Sequence, residues 1–281
     1  MARPSVQTPN LAFDRTRDLA DPATTGATPY ERYARLDVLH TLQQPRSSVE
    51  AELSFIVATQ VMELLFDLLR HEWQLARGAL RADDLPAAVA ALRRGANVQD
   101  VLNNSWDLLA TLTPVEFSAF RPVLGEASGF QSSAYLKLEF LLGNKSERLL
   151  GMYQEVPATQ QELARALAEP SLYDEVVALL ARRGFPVAAE VATSRYQPSE
   201  AVEAAWHTVY TDPRHTELVL LAEALLDTAE RVSRWRQRHY AAVKRSMGAK
   251  PGTAGSSGLS WLKAAADQDV FPELWTVRGV L

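Results

Sequence analysis

The chain has 281 residues, 47 % of them apolar and 22 % charged, with a formal net charge of −5. This is the balance of a soluble globular protein long enough for one large or two ordinary domains, and it excludes the basic footprint of a nucleic-acid binder. The lack of any cysteine removes disulfides, thiolate-bound zinc, iron–sulfur clusters, thiolate-ligated haem and covalent c-type haem.

No apolar run approaches the length of a membrane span. The first residues carry no apolar core of the kind a secretory leader needs, so a cytoplasmic protein is expected. Residues 1–28 mix Pro, Thr, Asp and Gly without periodicity and read as a flexible N-terminal arm. A short helix is expected over 28–43, with Thr28 as its N-cap and Pro29 in its first turn. Tyr30, Tyr33, Leu36 and Leu39 can share one face of it.

After Gln44-Pro45 comes the most apolar helix of the chain, over roughly 49–80. Phe55, Ile56, Val57, Ala58, Val61, Met62, Leu64, Leu65 and Phe66 leave almost no polar face. A helix apolar all round is expected in the centre of a helical protein. Thr59, Gln60 and Glu63 interrupt it, and as buried polar groups they need partners. Either they are stitched into the core or they line a cavity.

Asp83-Asp84-Leu85-Pro86 opens a further helix that continues towards Trp106. Thr113-Pro114-Val115-Glu116 has the form of a capping box and introduces Phe117, Phe120 and Arg121. A turn over 125–131 feeds a helix over 135–142. Arg121 lies on a mostly apolar segment beside that turn. A cation there calls for a carboxylate, either an internal one or a ligand's.

Three more helices are expected over 161–168, 171–183 and 199–210, separated by Glu-Pro, Gly-Phe-Pro and Asp-Pro breakers. A long helix then begins near Pro213 and passes Trp235 and His239. Its last turns are crowded with cations, and Gly248 stops it. Residues 252–258 follow as a glycine- and hydroxyl-rich loop, where backbone N–H groups can approach a ligand closely. His239 and this loop form either one half of a cofactor site or a half-exposed surface histidine beside a linker. The apolar tail over 271–277 is expected to dock. No segment alternates like a strand, so the fold class is all-α: one helical domain over 29–281 behind the arm.

Six segments carry a resemblance. They are Tyr30-x-x-Tyr33-x-Arg35-Leu36-Asp37, Phe55-Ile-Val-x-x-Gln60-x-x-Glu63-Leu64, and Phe120-Arg121-x-x-Leu124-Gly125-x-x-Ser128-Gly129-Phe130-Gln131-Ser132. To these add Pro170-Ser-Leu-Tyr-Asp-Glu175, Arg236-x-Arg238-His239 and Gly252-Thr253-x-Gly255-x-Ser257-Gly258. In this order and spacing, over about residues 29–281, the chain resembles the tryptophan 2,3-dioxygenase family of haem-dependent indole oxygenases.

The resemblance implies a large helical bundle that binds haem b with His239 as the axial ligand. It implies that Arg121 pairs with the carboxylate of an indole amino acid and that Thr253 holds its ammonium and carboxylate end. Phe55 would wall the indole beside Phe117, while Ser128 and Trp106 would lie near the haem. Tyr30 and Tyr33 would reach into a neighbouring subunit of a homotetramer that exchanges its N-terminal segments.

The sequence departs from the family pattern at three places. Thr59 stands where a distal histidine is usual, Phe117 where a tyrosine is usual, and Ala34 where a larger aliphatic residue is usual. The expected reaction is O₂-dependent oxygenation at the indole C2–C3 bond of L-tryptophan or a derivative such as β-methyl-tryptophan. With Thr59 at the catalytic position, the departures point to a specialised mono-oxygenase of an antibiotic-type pathway, giving an oxindole. The alternative is ordinary dioxygenation to N-formylkynurenine. A haem-binding or scaffold protein without activity is the third reading.

Overall fold

The computed structural model describes residues 27–192, 194–248, 250 and 258–281. Among these residues the regular structure is helical and contains no strand, as the sequence patterns predict. No helix among them is long and apolar enough to cross a membrane. The chain divides into two compact units, the first ending at Gln44 and the second spanning Pro45–Leu281. Composition places the end of the arm at residue 28, and most of that arm lies outside the described residues.

In the first unit the single helix expected over 28–43 is two short ones, α1 (Pro29–Ala34) and α2 (Leu36–Leu39). Thr28 and Glu31 close a capping box at the start of α1. Arg35 then takes a left-handed conformation (φ 52°), and its N–H closes α1 on the carbonyls of Arg32 and Glu31. A left-handed non-glycine residue costs about 1–2 kcal/mol and cannot continue a helix. Tyr30 and Tyr33 are 71 % and 91 % exposed in the single chain.

The second unit comprises α3 (Ala51–Arg81), α4 (Leu85–Ala110), α5 (Pro114–Leu124), α6 (Ser133–Leu142), α7 (Pro157–Ala168), α8 (Leu172–Arg182), α9 (Glu200–Thr211), α10 (Thr216–Met247), α11 (Leu259–Ala266) and α12 (Pro272–Thr276). The long helices are α3, α4 and α10, and α4 packs against both of the others. Helices α6 and α8 cover α3, α7 covers α6, and α11 lies on α10. The tail docks as expected: Phe271, Leu274 and Val277 are buried against the main core.

Local chemistry sets the boundaries. The Asp84 carboxylate caps α4 through Ala87 N–H, and Thr113 and Glu116 form both halves of the capping box that starts α5. Before α3, the buried Glu52 carboxylate accepts the N–H groups of Arg46 (2.8 Å) and Ser47 (2.7 Å) and fixes the entry turn. Helix α7 begins at Pro157, four residues before its expected start, because proline is well suited to a first helical turn. The 3₁₀ turn Glu147–Tyr153 has no counterpart among the sequence expectations, and the long helix expected from near Pro213 opens with the 3₁₀ turn Pro213–His215 before α10.

Where α3 meets α4, Gly95 allows a close approach. A Cβ at that position would stand 3.2 Å from Trp73 Nε1 and 3.3 Å from Leu69 Cδ1. The glycine gives up helix propensity of about 1 kcal/mol and lets the fully buried Trp73 indole lie against α4. One expectation for α3 fails. Leu53, Val57, Leu64 and Leu68 are 38–54 % exposed, so the helix is not covered all round by the described residues. Its neighbours α4, α6 and α8 occupy the other faces and leave this apolar stripe bare.

Candidate active site

His239 sits near the C-terminal end of α10, on the face that meets α4. Its imidazole stacks on the indole of Trp106, with centroids 4.8 Å apart and planes 19° from parallel. Trp106 leans in turn on Trp235 (4.9 Å), one helical turn before His239, and Trp235 meets Phe66 edge-on at 5.4 Å. His239 keeps a partly exposed edge, yet protein surrounds the ring densely enough that desolvation pushes its pKa down to about 4. The imidazole is therefore neutral at physiological pH, the form that binds a metal.

Two arginines on the same turns fix this end of α10. Arg238 Nη1 donates to the Asn103 carbonyl (2.6 Å) and to Asp107 (3.1 Å), both on α4. Arg236 is buried and donates to Glu139 of α6 (2.6 Å) and to the Gln268 carbonyl (2.9 Å). Burial alone would raise the Glu139 pKa. The Arg236 charge and hydrogen bonds from Asn144, Tyr135 and Arg236 outweigh it and hold the carboxyl below its ordinary range. Burial likewise pushes the Tyr135 hydroxyl far above its ordinary range. Neither Glu139 nor Tyr135 was read from the sequence as part of this neighbourhood. The i, i+4 spacing of Tyr135 and Glu139 on one helix was the available hint.

A second aromatic group joins α3 and α5. Phe55, Phe117 and Phe120 form a mutual triad with centroids 5.3–6.0 Å apart. Phe120 is fully buried, whereas Phe55 and Phe117 keep an accessible face. Helix α5 packs against both α3 and α10. Arg121, half-buried, follows Phe120 directly on α5. Sequence reasoning named Phe55 and Phe117, and the structure brings them together.

The remaining expected residues fall as follows. The Thr59 side chain donates to the Phe55 carbonyl one turn back (2.9 Å), and the residue is exposed. Glu63 accepts from the Ser132 hydroxyl at the start of α6, and burial raises its pKa despite that bond. Thr59 is thus not a buried core group as expected but bonds within its own helix, whereas Glu63 ties α3 to the start of α6. Ser128 caps the short 3₁₀ turn Gly129–Gln131, accepting from Phe130 N–H (3.4 Å) while its own N–H donates to Gln131 (3.0 Å). Phe130 meets Trp261 of α11 edge-on at 4.6 Å. Thr253 lies outside the described residues.

The donors present suit a haem. One neutral imidazole beside a flat aromatic wall would serve as the haem's protein ligand. Next to it, the buried Trp106 Nε1 has no hydrogen-bond partner among the described residues, which fits a polar group bound alongside. The same residues include no cluster of three His, Asp or Glu side chains that could hold a bare metal ion.

A neutral histidine stacked on an indole within a helical bundle is compatible with a helical haem protein. The model of the family described as tryptophan 2,3-dioxygenase matches residues 17–182 and 199–281. A protein from Burkholderia pseudomallei (strain 668) described as tryptophan 2,3-dioxygenase is 45 % identical over 257 residues, covering 90 % of this chain and 84 % of the relative. Its counterpart from Burkholderia mallei (strain SAVP1) is 44 % identical with the same coverage. The chain belongs to the tryptophan 2,3-dioxygenase family, oxidoreductases that bind haem b through a proximal histidine.

Proposed function

We propose that the protein oxygenates the indole C2–C3 bond of L-tryptophan with O₂ in the cytoplasm and releases N-formylkynurenine. The observation that carries this reading is the stacked, neutral His239 on a helix braced by Arg236 and Arg238, in a chain close to proteins described as tryptophan 2,3-dioxygenases. Bound haem would supply the redox-active iron at which O₂ reacts.

The chain's own residues do the rest. His239 would hold the iron, with its ring plane set by Trp106. Arg121 would take the substrate carboxylate, and the guanidinium suits it because its fork matches two carboxylate oxygens. Thr253 would add a hydroxyl at the same end. Phe55 and Phe117 would flank the indole and exclude water, and Ser128 would hold the turn that borders the pocket. An electron-rich indole needs little acid–base help, so the lack of a distal imidazole at Thr59 does not remove the reaction.

Thr59 and Phe117 also favour a second reading, mono-oxygenation to an oxindole. The Thr59 hydroxyl is engaged with Phe55 O, and it offers no acceptor of imidazole length to an indole N–H. Mass spectrometry under ¹⁸O₂ separates the two. Two labelled atoms in a ring-opened product support dioxygenation, one in an intact bicycle supports the second reading, and no labelled product overturns both.

The assembly we propose is a homotetramer in which Tyr30 and Tyr33 enter the neighbouring subunit's pocket. Their exposure in the single chain and the bare apolar stripe on α3 support it. Sedimentation of the full chain tests it: a monomer at micromolar concentration would count against this assembly.

A further inference from the structure

Arg236 and Arg238 both precede His239 on α10, yet their surroundings differ. Arg236 and its partner Glu139 are buried. The Arg238 side chain is 37 % exposed, and that of its partner Asp107 is 69 % exposed. An ion pair so open to water adds little to stability, so the reason for Arg238 lies elsewhere.

The packing of α10 on α4 supplies that reason. Gln99 Nε2 donates to the Thr228 carbonyl (3.1 Å), and Asn103 Nδ2 donates to the Arg231 carbonyl (3.2 Å). Both ties reach α10 two turns or more before His239. Further along, Arg238 Nη1 is shared between the Asn103 carbonyl (2.6 Å) and Asp107 Oδ1 (3.1 Å). These two acceptors are one turn apart on α4, and Trp106 belongs to that same turn. His239 is the next residue after Arg238. The polar contact and the Trp106–His239 stack therefore join one turn of α4 to one turn of α10. Flat rings attract one another over a range of offsets, so stacking alone leaves an imidazole free to slide and tilt. A bond to a main-chain carbonyl ties α10 to the α4 backbone itself, and the second acceptor restrains an otherwise rotamer-rich side chain.

We propose that Arg238 is a positioning residue for His239. By tying α10 to the turn of α4 that bears Trp106, it sets how far the imidazole overlaps the indole. That overlap fixes the tilt at which His239 presents its nitrogen to the haem iron. The inference rests on the reading of His239 as the haem's ligand. Groups that orient a metal-ligating histidine tune the metal as well as hold it. The two arginines thus divide the work: Arg236 secures the fold, and Arg238 sets the ligand.

The test compares the haem-loaded full chain with Arg238→Met and Arg234→Met. Arg234 is the control, an exposed cation one turn earlier on α10 that pairs with Glu230 of its own helix (2.6 Å) and only reaches the edge of contact with Asp100 (4.0 Å). Thermal unfolding, the iron–histidine stretching band in resonance Raman spectra of the ferrous protein, and the rate of haem loss to a haem-scavenging apoprotein are the readouts. Arg238→Met should load haem and unfold within about 4 °C of the wild type. Its Raman band should shift and broaden, and haem should leave roughly 2- to 12-fold faster, the worth of one aromatic contact. Arg234→Met should match the wild type in both. An unchanged band in Arg238→Met, the same shift in Arg234→Met, or an Arg238→Met chain that does not fold overturns the proposal. His239→Ala keeps the two levels apart. If that variant retains a full haem complement, the ligand assignment itself fails. If it is colourless, an unchanged band in Arg238→Met removes the role of Arg238 alone.

Discussion

The ring of Trp106 lies almost parallel to that of His239, 4.8 Å away, although 133 positions separate them along the chain. Helix α4 therefore sets the plane of an imidazole carried by α10. An aromatic contact of this kind contributes about 0.5–1.5 kcal/mol beyond its buried area. It also limits the ring to one orientation, which an axial ligand requires.

If His239 holds the haem, His239→Ala folds and purifies nearly colourless. His71, half-buried on α3, serves as the control, and His71→Ala keeps its haem. The pyridine haemochrome assay measures both. A full haem complement in His239→Ala would refute the assignment.

Arg121→Ala should weaken binding of L-tryptophan while leaving binding of plain indole nearly unchanged. Removing a charge-assisted partner from a desolvated site costs about 2–5 kcal/mol, or roughly 30- to 5,000-fold in affinity. Titration of the haem absorption with each ligand gives the comparison. Equal losses for the two ligands would make Arg121 a structural residue.

Thr59→Val should leave the product ratio unchanged, because the hydroxyl it removes serves the Phe55 carbonyl. Its stability cost should stay near the ~1 kcal/mol of one ordinary hydrogen bond. Thr59→His instead offers an acceptor to an indole N–H and should raise the share of ring-opened product. Product analysis of both variants with L-tryptophan reads the outcome. A change of product with the valine variant would give the Thr59 hydroxyl a direct role.

The Arg236–Glu139 pair should be costly to break from one side. Arg236→Met leaves the Glu139 carboxylate buried without its cation, and such a loss costs about 3–5 kcal/mol. The sign of the pH dependence follows from Glu139, whose folded pKa lies below its unfolded value. Its contribution is complete above the ordinary carboxylate range, near pH 4, and is lost as pH falls through the lower folded value. Urea titrations of wild type and Arg236→Met from pH 7 to pH 3 should therefore converge at the acid end. A constant difference between them would contradict this.

Much of the helical framework was legible in the sequence because its punctuation is local. Thr113, Pro114 and Glu116 announce α5 within four residues, and Asp84 with Pro86 does the same for α4. The break at Arg35 was hidden, since no glycine or asparagine marks that left-handed residue. The bare stripe of α3 was hidden for another reason: a leucine covered by its own chain and one left for a partner look alike in a periodicity. At the site, Phe55, Phe117, Trp106 and His239 were named beforehand through family resemblance, and the structure supplies their contacts. The bonds from Gln99 to the Thr228 carbonyl and from Asn103 to the Arg231 carbonyl, like the Arg236–Glu139 pair, join residues about a hundred or more positions apart, and no local pattern announces such pairs.

Glu139 and its cation are separated by 97 positions, which bears on the order in which the protein can be made. During synthesis, α3, α4 and α6 are complete long before Arg236 leaves the ribosome. Until then the Glu139 carboxylate has only Tyr135 and Asn144 to meet it, and burying it so poorly paired would be unfavourable. The face of α6 that will meet α10 must therefore wait in water, and the core closes only when the last long helix arrives. A chain cut short before Arg236 would remain open along this seam, exposed to proteases and to other unfinished copies of itself.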